Sequence, residues 1–465
     1  MDDLLLRVME ETSEEIWRAP GQTVVAAVSG GPDSMALLHM LKTMAETDGF
    51  RVVAAHVNHR FRGEESDAEE ELVKQVARSW QVACETAAID VPAYIAATGL
   101  NPQSAAREKR YAFLREVARR NGASAIALGH HADDQAETVL MRFLRGTGIG
   151  GMAGIPYRRR EKDLELIRPL LRITKRELLE YGVRNGVPHA VDSSNAKRDY
   201  FRNKVRLDLL PMLEQYNPQL RAALVRLSEL AAAENEYMEA EAGKALAESA
   251  VRKEEGWLID RRRFRSLHVA LQRRMIKLIL SCLENANDFG QVEVVAQAIA
   301  SERTAGYRAD IGGGWIVACE YDEAYLGPQP SVRPGFAYAV SGPDADIAVP
   351  EAKVVFRLRS LDESGSSLAE SQRVAFFDLA ALRFPLTIRS RRPGDRLEPL
   401  GLKGSKKVQD MFVDAKIPRS LRDAVPLLAD ADGRILWIPG LRRSRHAVPD
   451  AGTRKTVRVF VEELR

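Results

Sequence analysis

Apolar positions in the first part of the chain follow two alternating rhythms. Short runs of β-branched and small apolar residues, Thr23–Val28, Arg51–Val57, Val82–Ile89 and Ser124–Leu128, read as buried strands. Between them lie longer segments with helical spacing: Asp33–Ala45, Glu64–Trp80, Ser104–Arg120 and Asp133–Arg145. Thr174-Lys175-Arg176-Glu177 is a capping box that opens one further helix to about Asn185. Strands and helices alternating at this spacing predict an α/β fold on a doubly wound parallel sheet. From Asn217 to about Asn285 the pattern is rich in Ala, Glu and Leu, and predicts a helical unit without strands. Gly312-Gly313-Gly314, Trp315–Cys319 and the Pro/Gly-rich stretch Gly327–Pro350 signal a return to short strands and turns, and Glu363–Ser367 a flexible loop. The end of the chain is mixed, with strands at Leu386–Ser390, Ile435–Ile438 and Thr456–Val461 and a short helix at Val408–Val413. These patterns predict three domains: 1–216, a helical middle domain 217–384 with a short β-rich end, and a small α+β domain 385–465.

Composition changes this picture little. With 465 residues, 45% hydrophobic and 29% charged, the chain exceeds one ordinary core and has globular make-up. Met1–Arg7 has neither the basic start nor the apolar stretch of a signal peptide, and no apolar run approaches a membrane span. Cys84, Cys282 and Cys319 form no Cys-x-x-Cys, so neither a zinc ribbon nor a disulfide framework is indicated. A cytoplasmic protein without a membrane partner is the expectation.

Charge is unevenly spread. The net charge is +3, yet Leu386–Arg465 holds eighteen Lys and Arg against ten Asp and Glu, a balance of +8. Its cations sit in Gly/Ser-spaced loops: Arg389-Ser390-Arg391-Arg392-Pro393-Gly394-Asp395-Arg396, Lys403-Gly404-Ser405-Lys406-Lys407 and Arg442-Arg443-Ser444-Arg445-His446. Such loops suit a polyanion recognised by shape and charge. A solvated surface would carry the same charge.

The candidate chemistry concentrates at strand ends. Ser29-Gly30-Gly31-Pro32-Asp33-Ser34 joins the first strand to the first long helix. Gly residues admit a close approach, and the helix N-terminus favours an anion there, so the hexad reads as a phosphate loop. No Gly-x4-Gly-Lys-Ser/Thr occurs, which excludes the Walker loop. Asp33 would repel a phosphate unless a cation intervenes, so it reads as a metal partner or a base. The second strand ends at His56-Val57-Asn58-His59, followed by Arg60-Phe61-Arg62-Gly63, at the edge where such sheets bind ligands. The fourth ends at Gly129-His130-His131-Ala132-Asp133-Asp134-Gln135-Ala136-Glu137-Thr138. There Asp134 and Glu137, spaced i, i+3, share one helical face and call for a neutralising cation.

The hexad resembles the phosphate loop of the N-type ATP pyrophosphatases. Together with His56–His59, Arg107-Glu108-x-Arg110-Tyr111, Gly129–Thr138, Arg145-Gly146-Thr147-Gly148, Arg168-Pro169-Leu170 and the Asp192-Ser193-Ser194-Asn195 to Arg202-Asn203-x-x-Arg206 stretch, it is similar to the tRNA(Ile)-lysidine synthetases along the whole chain. The resemblance implies ATP-dependent attachment of L-lysine to C2 of the wobble cytidine of isoleucine tRNA with a CAU anticodon. It also implies a basic C-terminal domain that binds tRNA. ATP would lie on Ser29, Gly30, Gly31, Pro32, Asp33, Ser34, His56, Asn58, His59, Gly129 and His130, with Mg²⁺ on Asp33. Asp33, Arg110, Asp134, Glu137 and Arg202 are the candidate catalytic residues. Asp33 suits the base, Asp134 and Glu137 the α-ammonium of lysine or a proton relay beside it, and Arg110 and Arg202 a carboxylate, phosphate or cytosine oxygen. Thiolating relatives would need paired cysteines, which the chain lacks. An inert tRNA-binding relative would not need all three carboxylates. Monomer and homodimer both remain open.

Overall fold

The computed structural model describes residues 2–61, 63–161, 163–190, 201–253, 255–281, 289–302, 306–329, 335–362, 371–402 and 404–464. Arg62, Asp192–Asn195, Cys282, Glu363–Ser367 and Lys403, singled out above, lie outside them. The chain divides into two units, Met1–Met238 and Glu239–Arg465.

In the first unit the strands are β1 (Thr23–Ala27), β2 (Arg51–Asn58), β3 (Ala83–Ala88), β4 (Ala125–Ala127), β5 (Arg158–Glu161) and β6 (Leu164–Ile167). The helices are α1 (Asp3–Glu11), α2 (Pro32–Asp48), α3 (Glu64–Ser79), α4 (Val91–Thr98), α5 (Pro102–Arg120), α6 (Ala132–Leu144), α7 (Ile149–Met152), α8 (Lys175–Arg184), α9 (Phe201–Lys204), α10 (Leu210–Glu214) and α11 (Leu220–Ser249), the last carrying the chain into the second unit. Sheet order is β3-β2-β1-β4-β6-β5. The central pairings are parallel, Val24 meeting Val52 on one side and Ala125 on the other. Alternation decides which face each residue serves. Val24, Ala26, Val52 and Ala54 pack with α2 residues such as Met35, Leu38 and Leu41, whereas Val25, Val53 and Ile126 pack with Leu114 and Val117 of α5. The sheet is thus covered on both faces, and the order reverses between β1 and β4, where such sheets open a crevice.

The four predicted strands and five predicted helices all form. One difference is the β5–β6 hairpin, which adds an antiparallel edge to the expected all-parallel sheet. Its outer strand, Arg158-Arg159-Arg160-Glu161, is a charge run without apolar alternation, as edge strands tolerate.

The second unit corrects the expected strand-free middle. Strands β7 (Ala250–Lys253) and β8 (Gly256–Asp260) form a hairpin inside the stretch read as helical. They join β9 (Tyr307–Gly312), β10 (Trp315–Glu320) and β11 (Glu323–Pro328) in one antiparallel sheet, ordered β7-β8-β11-β10-β9. Ile259, Val317 and Leu326 of this sheet pack on α13 (Val269–Leu280) and α14 (Phe289–Ala300), after the short α12 (Arg261–Ser266). The hairpin strands are only four and five residues long, and the first directly follows a 30-residue helix, so their periodicity is submerged.

The boundary expected at 384/385 is crossed by hydrogen bonds. β12 (Ala337–Val340) pairs with β16 (Leu386–Arg389), and β14 (Val354–Leu361) with β22 (Thr456–Glu463). One sheet is ordered β12-β16-β19-β20-β21, with β19 (Leu427–Ala429), β20 (Ile435–Ile438) and β21 (Arg442–Arg443). The other is β13-β14-β22-β15, with β13 (Ala345–Val349) and β15 (Val374–Asp378). Phe356, Phe377, Leu386, Trp437 and Val459 share one core, so strands on both sides of residue 385 bury each other. A small ribbon of β17 (Arg396–Leu397) and β18 (Lys406–Lys407) leads into α15 (Val408–Asp414), close to the predicted helix. Among the described residues no helix is long and apolar enough to cross a membrane.

Candidate active site

The loop from β1 to α2 is shaped by its serines and glycines. Gly30 has φ +91°, a conformation that costs other residues strain, and its carbonyl accepts from Ala190 N at 2.9 Å. Ser29 N donates to Ser34 Oγ (3.1 Å), which in turn donates to the Gly31 carbonyl (2.9 Å). Gly31 precedes α2 without a side-chain cap, and Pro32 fills its first position, so the helix start is left to an outside anion. A Cβ on Gly129, at the end of β4, would lie 3.4 Å from the Ser34 backbone. The second strand end can therefore close against the loop.

A cavity of about 750 Å³ opens above these strand ends. Ser29, Gly31, Pro32, Asp33, Ser34, His56, Asn58, His59, Arg110, Gly129, His130, Asp134 and Glu137 line it, as the sequence pattern predicts for one site. Gly30 and Arg202 are not on its wall. The histidines are kept neutral: burial pushes His59 down to about 4, helped by Arg110, and burial pushes His130 to about 4 against the pull of Asp134. His56 donates or accepts through Nδ1 with the Val28 carbonyl at 2.9 Å, and burial lowers its pKa also. His56 Nε2, His59 Nδ1, His130 Nδ1 and His131 Nδ1 are buried without a hydrogen-bond partner. Asn58 is more committed. Its amide donates to Asp67 (2.7 Å) and Glu70 (3.1 Å) on α3, and its oxygen accepts from Arg60 N.

Helix α6 presents the carboxylates. Glu137 is fully buried and receives Arg202 Nε (2.8 Å) and Arg206 Nε (2.5 Å). Asp134 receives Arg202 Nη2 (2.8 Å) and the backbone N of His131 (3.1 Å). Burial works to raise the Asp134 carboxyl, but His131 and Arg202 outweigh it and hold it below the usual carboxylate value. Both arginines stand on α9 and the π-helical turn Val205–Leu209 behind it. Two carboxylates and two guanidiniums thus form a balanced cluster. His131 Nε2 lies 3.4 Å from Asp134 Oδ2 and 3.7 Å from Asp33 Oδ2, so both carboxylates face one imidazole. Asp33 Oδ1 accepts from Lys175 Nζ at 2.6 Å. Arg110 has no hydrogen bond or ion pair among the described residues; burial lowers its pKa, but a guanidinium stays charged.

Several lining residues escape the sequence reading as site residues: His131, Asp133, Lys175, Arg206 and Arg221. His131, Asp133 and Arg206 stand inside quoted motifs, so spacing could have found them. Lys175 is legible only as part of a capping box, which does form. Arg221, which bridges Asp133 (3.0 Å) and Glu214 (2.7 Å), carries no local signal.

The basic loops of the second unit are less free than their composition suggests. Arg389 is buried in a bidentate pair with Asp395 (2.8 and 2.9 Å), and Arg391 pairs with Asp423 (2.8 Å). Arg443 stacks 4.7 Å from the Phe377 ring centroid, and Lys406 and Arg445 hold Asp414 and Glu398. Arg392, Lys407 and Arg442 are exposed and have no ion-pair partner among the described residues.

A parallel sheet with a Ser-Gly-Gly loop at its crevice, facing a second acidic strand end, defines a PP-loop nucleotide-binding protein. The PP-loop domain family matches residues 5–213, and the TilS substrate C-terminal domain family matches residues 386–459. The tRNA(Ile)-lysidine synthase of Bacillus subtilis (strain 168) is 37% identical over 433 residues, covering 91% of this chain and 90% of that protein. Those of Geobacillus kaustophilus (strain HTA426) and Symbiobacterium thermophilum are 36% identical over 440 residues (93% of each) and 35% over 481 residues (98% of each). The chain belongs to the tRNA(Ile)-lysidine synthase family.

Proposed function

We propose that the cavity joins lysine to the wobble cytidine of the CAU-anticodon isoleucine tRNA in two steps, on the residues assembled there. The enzyme is a carbon–nitrogen ligase that consumes ATP. In the first step cytosine O2 attacks the α-phosphorus, a P–O bond forms, and the bond to the β-phosphate breaks, releasing diphosphate. In the second, the ε-nitrogen of lysine attacks C2, AMP leaves, and the ammonium's proton passes to a base. The product is lysidine, which changes codon reading from AUG to AUA. The observation that carries this reading is that the phosphate loop and the carboxylate-bearing start of α6 face one cavity.

The loop serines and the start of α2 hold the phosphates, and His56 and His59 line the nucleoside side. Asp33 is the base, and Arg110, which lies 5.8 Å from the Tyr111 ring centroid and has no ion pair among the described residues, meets the cytosine or a phosphate. Asp134 and Glu137 receive the α-ammonium of lysine. With Arg202 and Arg206 already on these carboxylates, lysine enters by displacing a guanidinium, which can then turn to the substrate carboxylate. Among the described residues no three His, Cys, Asp or Glu form a metal cage. Mg²⁺ takes one or two carboxylates plus phosphate oxygens and water, so Asp33 fits it. When bound, it would screen the triphosphate charge.

Residues 1–216 form the catalytic part, and the rest binds tRNA through exposed cations such as Arg392, Lys407 and Arg442. The β-rich body that contains the basic segment starts before β12 and not at residue 385. The reaction runs in the cytoplasm with its tRNA, in a monomer or a homodimer. Cleavage position tests the reading: chromatography of products is expected to show AMP and diphosphate, and ADP as the main product would overturn it.

A further inference from the structure

Arg145-Gly146-Thr147-Gly148 takes no part in the chemistry above. It closes α6: Gly146, at φ +74°, turns the chain out of the helix, and its N donates to the Phe143 carbonyl at 3.0 Å. The turn that follows is braced from α6 itself. Arg142 Nη1 donates to the carbonyls of Gly151 (2.9 Å) and Gly154 (2.7 Å), and the Gln135 amide to those of Ala153 (3.3 Å) and Ile155 (3.1 Å). On this support Arg145 makes no ion pair among the described residues, and its guanidinium lies 5.5 Å from the ring centroid of Phe201 on α9. Phe201 is 44% exposed, so its ring can still receive a second planar group, and Phe143, Leu144 and Ile149 beside Arg145 in sequence are exposed too. An exposed aromatic ring backed by a cation suits an unpaired nucleic-acid base. Its place is equally telling. Phe201 directly precedes Arg202, whose guanidinium holds Glu137 and Asp134 of the cavity wall. Successive helix residues point about 100° apart, and Phe201 accordingly stands beside the cavity and not on its wall.

We propose that Phe201, backed by Arg145, is the stacking platform for the adenine that follows the reacting cytidine in the CAU anticodon. The reacting base has to leave the stack to enter the cavity, which strips its neighbour of a stacking partner. The Phe201 ring replaces that partner, and Arg145, without a carboxylate to hold it, meets the adjoining phosphate. Phe201 touches no reacting atom and acts by positioning. The inference rests on reading the cavity as the place where the cytidine is adenylated.

The test uses full-length protein and isoleucine tRNA that carries 2-aminopurine in place of that adenine, a base whose fluorescence is quenched by stacking. At saturating protein the probe is expected to be brighter on Phe201→Ala than on wild type, and as dim on Phe201→Trp as on wild type. Phe201→Ala is expected to weaken tRNA binding about 5–100-fold, the usual range for loss of a base-stacking ring. An abasic site at the same position should cost the wild-type protein a similar factor, and on that tRNA Phe201→Ala should cost nothing further. Equal probe brightness on Phe201→Ala and wild type would overturn the inference. So would a loss that persists undiminished on the abasic tRNA, since Phe201 would then be structural or serve another partner. Wild-type protein that binds the tRNA but transfers no AMP to its cytidine would overturn the reading of the cavity instead.

Discussion

Asp33→Ala is expected to lower lysidine formation by about 10²–10⁴-fold, the range a positioned base contributes, while tRNA affinity stays near wild type. Asp33 stands at the second position of α2, inside the phosphate cavity and far in sequence from the basic segment. Its ion pair with Lys175 is part-exposed, so its loss costs only about 0–1 kcal/mol of stability. The variant therefore folds, binds tRNA and fails in chemistry. Turnover and tRNA affinity, measured side by side, check this. If affinity fell as far as turnover, Asp33 would be a structural or RNA-contacting residue.

Glu137→Gln is the second large effect, and its signature is a split between steps. Glu137 is buried and accepts from both Arg202 and Arg206, so removing its charge leaves two guanidiniums on Asp134 alone. Breaking a fully buried pair costs about 3–5 kcal/mol; with both arginines about a third exposed, roughly 1–3 kcal/mol is expected here. Adenylated tRNA, trapped by omitting lysine, should still accumulate. Its conversion on adding lysine should be slowed far more, because the ammonium loses half of its acidic seat. Equal loss in both steps would assign Glu137 to the adenylation step and not to lysine.

The sequence rendered the catalytic unit well because its determinants are local. Val/Ala runs buried on both faces define β1, β2 and β4, and the hexad and the α6 start follow their strands directly. What escaped depends on distant partners. Lys175 meets Asp33 across 142 positions, and Arg221 meets Asp133 across 88, so neither pairing leaves a periodic trace. The β7–β8 hairpin is legible only once β11 pairs with it. Strand pairing crosses the 384/385 boundary because antiparallel sheets can join segments far apart, as β14 joins β22. Local charge also misleads: Arg389 lies in the basic run that looks most suited to RNA, yet it is buried against Asp395.

On the proposed reading, one cavity adenylates the cytidine and then installs lysine. Full-length protein, ATP, radiolabelled lysine and isoleucine tRNA with a CAU anticodon, incubated together, test it most directly. ATP-dependent label on the RNA is expected, released on nuclease digestion as a modified cytidine, with AMP formed in equal amount. Absence of label from the RNA while ATP is consumed, or label that enters without ATP, would contradict it.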